Sequence, residues 1–197
     1  MADTSPMQSA LNGIAQPGDF GADQPAGPGV TITERQGLQI LHVAGDIRDA
    51  EFPTQVRHAI GLPLPMSAGE TRASQGTRVL WLGPDRWLVA HEATEDALPA
   101  LSDAAAVNDV GQGRLVLRLT GPRVRDILAK GCPLDLHASA FPTGHCAESL
   151  IGHIGVTIDC TADETFDLYV NRSYAAFFWE WLTRAAMEYG YRVLPAG

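Results

Sequence analysis

Arg114-Leu115-Val116-Leu117-Arg118-Leu119-Thr120-Gly121-Pro122-Arg123-Val124-Arg125-Asp126-Ile127-Leu128-Ala129-Lys130-Gly131 changes its hydrophobic period halfway along. Up to Thr120, Leu115, Leu117 and Leu119 recur at every second position, the spacing of a strand with a buried face. Pro122 then occupies a first helical turn, where its missing N–H costs nothing. Val124, Ile127 and Leu128 share one helical face, and Gly131 supplies the C-terminal stop.

Outward from this strand–helix unit the same order of elements recurs. Downstream, a loop through Cys132 to Cys146 leads to a predicted strand around Leu150 to Ile158. A turn at Thr161 to Glu164 precedes a strand with its apolar side at Phe166, Leu168 and Val170. Ser173 is a suitable N-cap for the longest helix, which runs to about Tyr189 before Gly190, and Tyr191 to Leu194 can return as an edge strand. Upstream, Gly37 to Ala44 reads as a strand and Phe52 to Ile60 as a helix with Phe52, Val56 and Ile60 on one face. Arg78 to Leu82 and Arg86 to His91 flank a Gly83-Pro84-Asp85 turn. Thr94 to Ser102 reads as a helix and Ala106 to Val110 as a closing strand. Each half is β-α-β-β-α-β. The expected fold class is therefore α+β, with two ferredoxin-like halves, about 30–111 and 112–197, packed as one domain.

Residues 1–29 are rich in Pro, Gly, Ala, Ser and Asp, and show no sustained period. Such a segment buries little apolar area, so it is expected to be disordered or an arm laid over a partner. The 197-residue chain carries a formal charge of -9, leaving no surplus of cations to displace counterions from nucleic acid. No apolar run approaches a membrane span. Arg35 is the first basic residue, and the three cysteines, Cys132, Cys146 and Cys160, are not closely paired. Cytoplasmic residence with free thiols is the expectation.

Motifs for chemistry are scarce. Gly111-Gln112-Gly113 lacks a third glycine and precedes a strand, so it reads as a turn and not as a dinucleotide cradle. His137, His145, Cys146 and His153 lack the ligand spacing of a zinc site. Asp109 ends a strand before a tight turn and is the candidate acid of a vestigial pocket. Asp159, Asp163 and Glu164 read as a solvated turn. Tyr174, Phe177, Phe178, Trp181, Leu182, Ala185 and Tyr189 form an apolar stripe, expected to be core. Trp179 lies off that stripe, and Trp81 and Trp87 bracket the Gly-Pro-Asp turn. These three tryptophans, with Arg172 at the start of the last helix, are the candidate interface residues.

Three stretches resemble the gamma subunits of heterotetrameric sarcosine oxidase. They are Leu82-Gly83-Pro84-Asp85-Arg86-Trp87-Leu88-Val89, then Arg118 through His137 followed by Phe141-Pro142 and Cys146-Ala147, and finally Val170-Asn171-Arg172-Ser173-Tyr174-Ala175 leading into Trp179 to Leu182. The resemblance extends from about Leu38 to the last helix, and its middle stretch is the specific one.

That resemblance implies a fold like the folate-binding region of the glycine-cleavage aminomethyltransferase. It also implies a non-catalytic subunit of an oxidoreductase complex acting on CH–NH groups, which demethylates sarcosine to glycine alongside alpha, beta and delta chains. FAD, FMN, NAD, tetrahydrofolate and zinc are then expected in the partners, with none bound by this chain. Two alternatives stand beside it. One is the corresponding subunit of a dehydrogenase for N-methylglutamate or another N-methyl amino acid. The other is a stand-alone, tetrahydrofolate-binding aminomethyltransferase-like protein.

Overall fold

The computed structural model describes residues 9–92 and 105–197. In chain order the elements are β1 (Gly18–Phe20), β2 (Val30–Glu34), β3 (Leu38–Ala44), α1 (Glu51–Ile60), β4 (Thr71–Ser74), β5 (Thr77–Gly83), β6 (Arg86–Glu92) and β7 (Ala106–Asp109). They continue with β8 (Arg114–Thr120), α2 (Val124–Ala129), β9 (Cys146–Ile151), β10 (Ile154–Ala162), β11 (Thr165–Asn171), α3 (Ala175–Ala186) and β12 (Tyr191–Val193). A seven-stranded sheet has the order β1-β12-β2-β8-β11-β10-β9, and a five-stranded sheet the order β4-β5-β6-β3-β7. The class is α+β.

Strand alternation sorts the side chains into three buried layers. Leu115, Leu117 and Leu119 of β8, with Ile158, Phe166 and Leu168, face α2 and α3 and form the main core. The opposite side of the same sheet sends Val116 and Tyr169 toward Ile40, Leu80, Leu88 and Ala90 of the smaller sheet. The outer face of the smaller sheet packs Val43, Val79, Trp87 and Val89 on Phe52, Val56 and Ile60 of α1. Helix, sheet, sheet and helix thus stack in four layers, each fully buried large side chain contributing about 1.5–3 kcal/mol. Helix α1 closes as its sequence requires: Gly61, at φ 73, donates its N–H to the Arg57 carbonyl.

The two halves interlock more than a simple repeat would. Strand β2 belongs by sequence to the first half, yet it lies between β12 and β8 in the larger sheet, parallel to one and antiparallel to the other. The single strand predicted around Leu150 to Ile158 is two strands, β9 and β10. Gly152 and His153, at φ 55 and φ 70, form the two-residue turn that joins them. A second short hairpin, β4–β5, turns at Gln75 and Gly76, again with both residues at positive φ. Strands β1, β2 and β4 carry too few alternating apolar residues to be read from sequence. The helix predicted at 94–102 lies outside the described residues.

The segment from Ser9 to Gly29 is laid along this chain's own larger sheet. Leu11 is only 1% exposed within the main core. Strand β1 pairs antiparallel with β12, so β12 is an interior strand and not the expected edge. Phe20 stacks on Tyr191 at 5.3 Å, and Asp19 takes two hydrogen bonds from Arg192.

Candidate functional site

The layer between the two sheets is unusual because it contains buried charge. Asp159 of β10 and Asp167 of β11 face each other across the antiparallel ladder, and both side chains are wholly buried. Two carboxylates directly opposite repel, so the pair is held by cations from three other elements. From β5 of the smaller sheet, Arg78 donates through Nε and Nη2 to Asp159 at 2.6 and 2.7 Å. Arg118 of β8 makes the same fork on Asp167, with both bonds at 2.8 Å. Arg35, in the link between β2 and β3, donates Nη1 to Asp167 at 2.8 Å and Nη2 to Glu92 at 2.5 Å. The Arg78–Asp159 fork binds the smaller sheet to the larger one, and the Arg118–Asp167 fork braces the larger sheet internally, each around a carboxylate that is itself wholly buried.

Burial is the first cause of the shifts at Asp159 and Tyr169. Desolvation pushes the Asp159 carboxyl up to about 6, against the pull of Arg78. The Tyr169 hydroxyl is raised well above its ordinary value, first by burial and then by the charges of Asp159 and Asp167. Among the described residues, that buried hydroxyl has no hydrogen-bond partner. His42 is lowered, by burial first and then by Arg114, whose Nη2 lies 3.4 Å from the ring. Cys146 is pushed up to about 12, chiefly by burial, so its thiol is inert at neutral pH.

The residues singled out from sequence fall in several places. Asp109 is exposed on β7, where its Oδ1 accepts the Gly111 N–H at 2.8 Å, the turn role open to any such aspartate. Trp81 and Trp87 are cross-strand partners. Trp81 is half-buried against the core beneath α1, whereas Trp87 is 1% exposed, 5.6 Å from Phe52, with its indole N–H donated to the Pro65 carbonyl. Trp179 is likewise buried. It lines one cavity with Leu11, Ala15 and Pro17 of this chain's own N-terminal segment, and Leu11 and Trp179 belong to one core cluster. Of the candidate interface tryptophans, Trp87 and Trp179 are thus buried within this chain itself. Arg172 is half-buried and borders a small cavity with Arg35 and Arg114.

Two sequence readings are overturned. Asp159 is not part of a solvated turn, because β10 runs on to Ala162 and keeps it inside. The aromatic stripe of α3 is rotated from its expected centre: Ala175, Phe178, Trp179, Leu182, Ala185 and Ala186 are buried, while Tyr174 and Phe177 are 49% and 71% exposed. His137, His145, Cys146 and His153 do not converge, and among the described residues no group of three His, Cys, Asp or Glu side chains is placed to hold a metal. Sequence reasoning also missed the two buried aspartates. The available signal was an acid within each of the apolar runs Val156-Thr157-Ile158-Asp159-Cys160 and Phe166-Asp167-Leu168, matched by Arg118 on an alternating strand.

No helix among the described residues is long and apolar enough to cross a membrane. Comparison with known proteins is consistent in direction. The model of the family "Sarcosine oxidase, gamma subunit family" matches residues 44–188. The chain is 33% identical to sarcosine oxidase subunit gamma of Corynebacterium sp. (strain U-96), over 77% of this chain and 86% of that one. It is 34% identical to the subunit from Corynebacterium sp. (strain P-1), over 73% and 80%. Among solved structures, the heterotetrameric sarcosine oxidase from Corynebacterium sp. U-96 in complex with pyrrole 2-carboxylate contains a chain that matches at TM-score 0.74 and 29% identity. That match covers 81% of this chain and 85% of the other. The glycine cleavage system aminomethyltransferase T from Bartonella henselae matches at TM-score 0.58 and 15% identity, covering 87% of this chain and 48% of that one, a likeness of fold alone.

Proposed function

Since the chain belongs to the sarcosine oxidase gamma subunit family, we propose that it serves as the non-catalytic gamma subunit of a heterotetrameric, flavin-dependent sarcosine oxidase. Its role there is to support assembly of the complex that demethylates sarcosine to glycine. The observation that carries this reading is the family match over residues 44–188, with identity sustained over 86% of a named gamma subunit. The partners in this reading are the alpha, beta and delta chains. FAD, FMN, NAD, tetrahydrofolate and zinc reside in those partners, and the setting is the cytoplasm. Residues 9–29 serve as an N-terminal arm preceding the family-matched region, with the domain proper at 30–197 in two halves of ferredoxin-like type. Trp81 and Arg172, both partly exposed, remain candidate interface residues.

Purification through a tag on this chain, after co-expression with candidate alpha, beta and delta chains, tests the reading. A yellow complex that oxidises sarcosine is the expected result, with the chain alone colourless and inactive. A colourless chain that retains none of the three partners would overturn it.

A further inference from the structure

The charged layer opens at one end into a cleft of about 260 Å³, between the β4–β5 hairpin and the link joining β2 to β3. Arg35, Arg78 and Arg118 all border it, and Glu92 stands at its margin. The charges within this group are distributed unevenly. Among the described residues, Asp159 takes its side-chain bonds from Arg78, whereas Asp167 is shared by Arg35 and Arg118. Two guanidinium groups on one carboxylate leave a local surplus of one positive charge. Glu92, which among the described residues pairs with Arg35 and whose side chain is 54% exposed, is what meets that surplus. An exposed carboxylate held by a single contact is a weak partner, because solvent competes for it and its ordering costs side-chain entropy.

Donors are also left over. Among the described residues, Arg35 Nε, Arg78 Nη1 and Arg118 Nη1 find no hydrogen-bond acceptor, although each guanidinium carries five N–H groups. Their positions are held by the buried aspartates, so a ligand would find the fork already oriented and would not have to order it. The apolar walls, Leu38 and Ala90, suit a short hydrocarbon. We infer that this cleft is a binding site for a small monocarboxylate, which takes the place of the Glu92 carboxylate on Arg35 and adds a bond from Arg118.

This inference does not depend on the assembly of a complex, and the full-length chain alone can test it. Sodium propionate is titrated against sodium chloride at matched ionic strength, with the Arg Nε–Hε signals read by NMR. Propionate is expected to move the Arg35 and Arg118 signals saturably, with chloride leaving them in place. Glu92→Gln removes the competing carboxylate and is expected to tighten propionate binding by about tenfold. Arg118→Gln should weaken it by a similar factor. The opposite signs separate a ligand site from a purely structural ion network, in which both substitutions would act only on stability. Should Arg118→Gln fail to fold, the Glu92→Gln result decides alone. Absence of saturation in both the native chain and Glu92→Gln would overturn the inference, as would an equal response to chloride. Tighter binding of the blocked peptide acetyl-Ala-Glu-Ala-amide than of propionate would also overturn it, reassigning the carboxylate to a protein chain.

Discussion

At the scale of single residues, burial decides what each side chain is worth. Trp87 fills the core beneath α1 and has its indole N–H satisfied, so Trp87→Ala leaves both a cavity and an orphaned Pro65 carbonyl. A loss of about 3–5 kcal/mol is expected in urea unfolding. Phe177 is also aromatic but stands mostly in solvent, and Phe177→Ala should change stability by no more than about 0.5 kcal/mol. Equal losses at the two positions would mean that the α3 stripe is centred differently from the structure. Asp159 gives a pH signature. Its carboxyl titrates near 6 when folded, above its ordinary value of 3.8, so the native state binds a proton more readily than the unfolded chain between those limits. The contribution of this group is therefore present at low pH and is lost as pH rises from about 4 to about 6, by roughly 1–3 kcal/mol. Unfolding free energies of the native chain and Asp159→Asn, compared across that window, should converge or cross in this sense. A constant difference would place the Asp159 titration elsewhere.

At the scale of elements, the β9–β10 hairpin and α3 are fitted to each other through glycine. A Cβ on Gly152 would come within 2.6 Å of Trp181 Cδ1, and the residue sits at φ 55. Gly152→Ala therefore meets both left-handed strain and overpacking, a cost of about 2 kcal/mol or more. The neighbouring turn residue His153, at φ 70, is exposed and pays the same backbone strain without the steric conflict. His153→Gly is expected to be neutral to mildly stabilising, by up to about 1 kcal/mol. Thermal unfolding of the two variants checks the contrast; a Gly152→Ala protein as stable as the native chain would show that Trp181 can swing away freely.

At the scale of the whole molecule, the N-terminal segment closes a surface that the domain would otherwise expose. Leu11 and Trp179 lie in one cluster, and β1 extends the larger sheet past β12. Removing residues 1–20 should leave a folded domain, because the α2–α3 core and both interior sheets persist. It should cost about 2–4 kcal/mol, the loss of a buried leucine together with a strand pairing. Trp179 should become accessible to acrylamide quenching. Full quenching protection in the truncated chain would show that something other than this segment covers the ring.

The sequence by itself determined the local elements wherever periodicity was strong. It marked the β8–α2 unit, the β5–β6 hairpin with its Gly83-Pro84-Asp85 turn, α1 with its Gly61 stop and the long last helix, and the stretch 118–137 carried the family resemblance. Periodicity and turn chemistry act over a few residues, which is why they could be read there. The tertiary structure alone decided which face of each sheet meets a second sheet. That is why Asp159 and Asp167 are buried among arginines from remote segments, why β2 sits in the other half's sheet, and why Leu11 and Trp179 end in one core. An aspartate in a strand looks the same whether it faces water or Arg78, because its partner lies 81 residues away in the chain. Burial is a property of assembled layers, so the apolar run around each acid marks the position without naming the arginine that meets it.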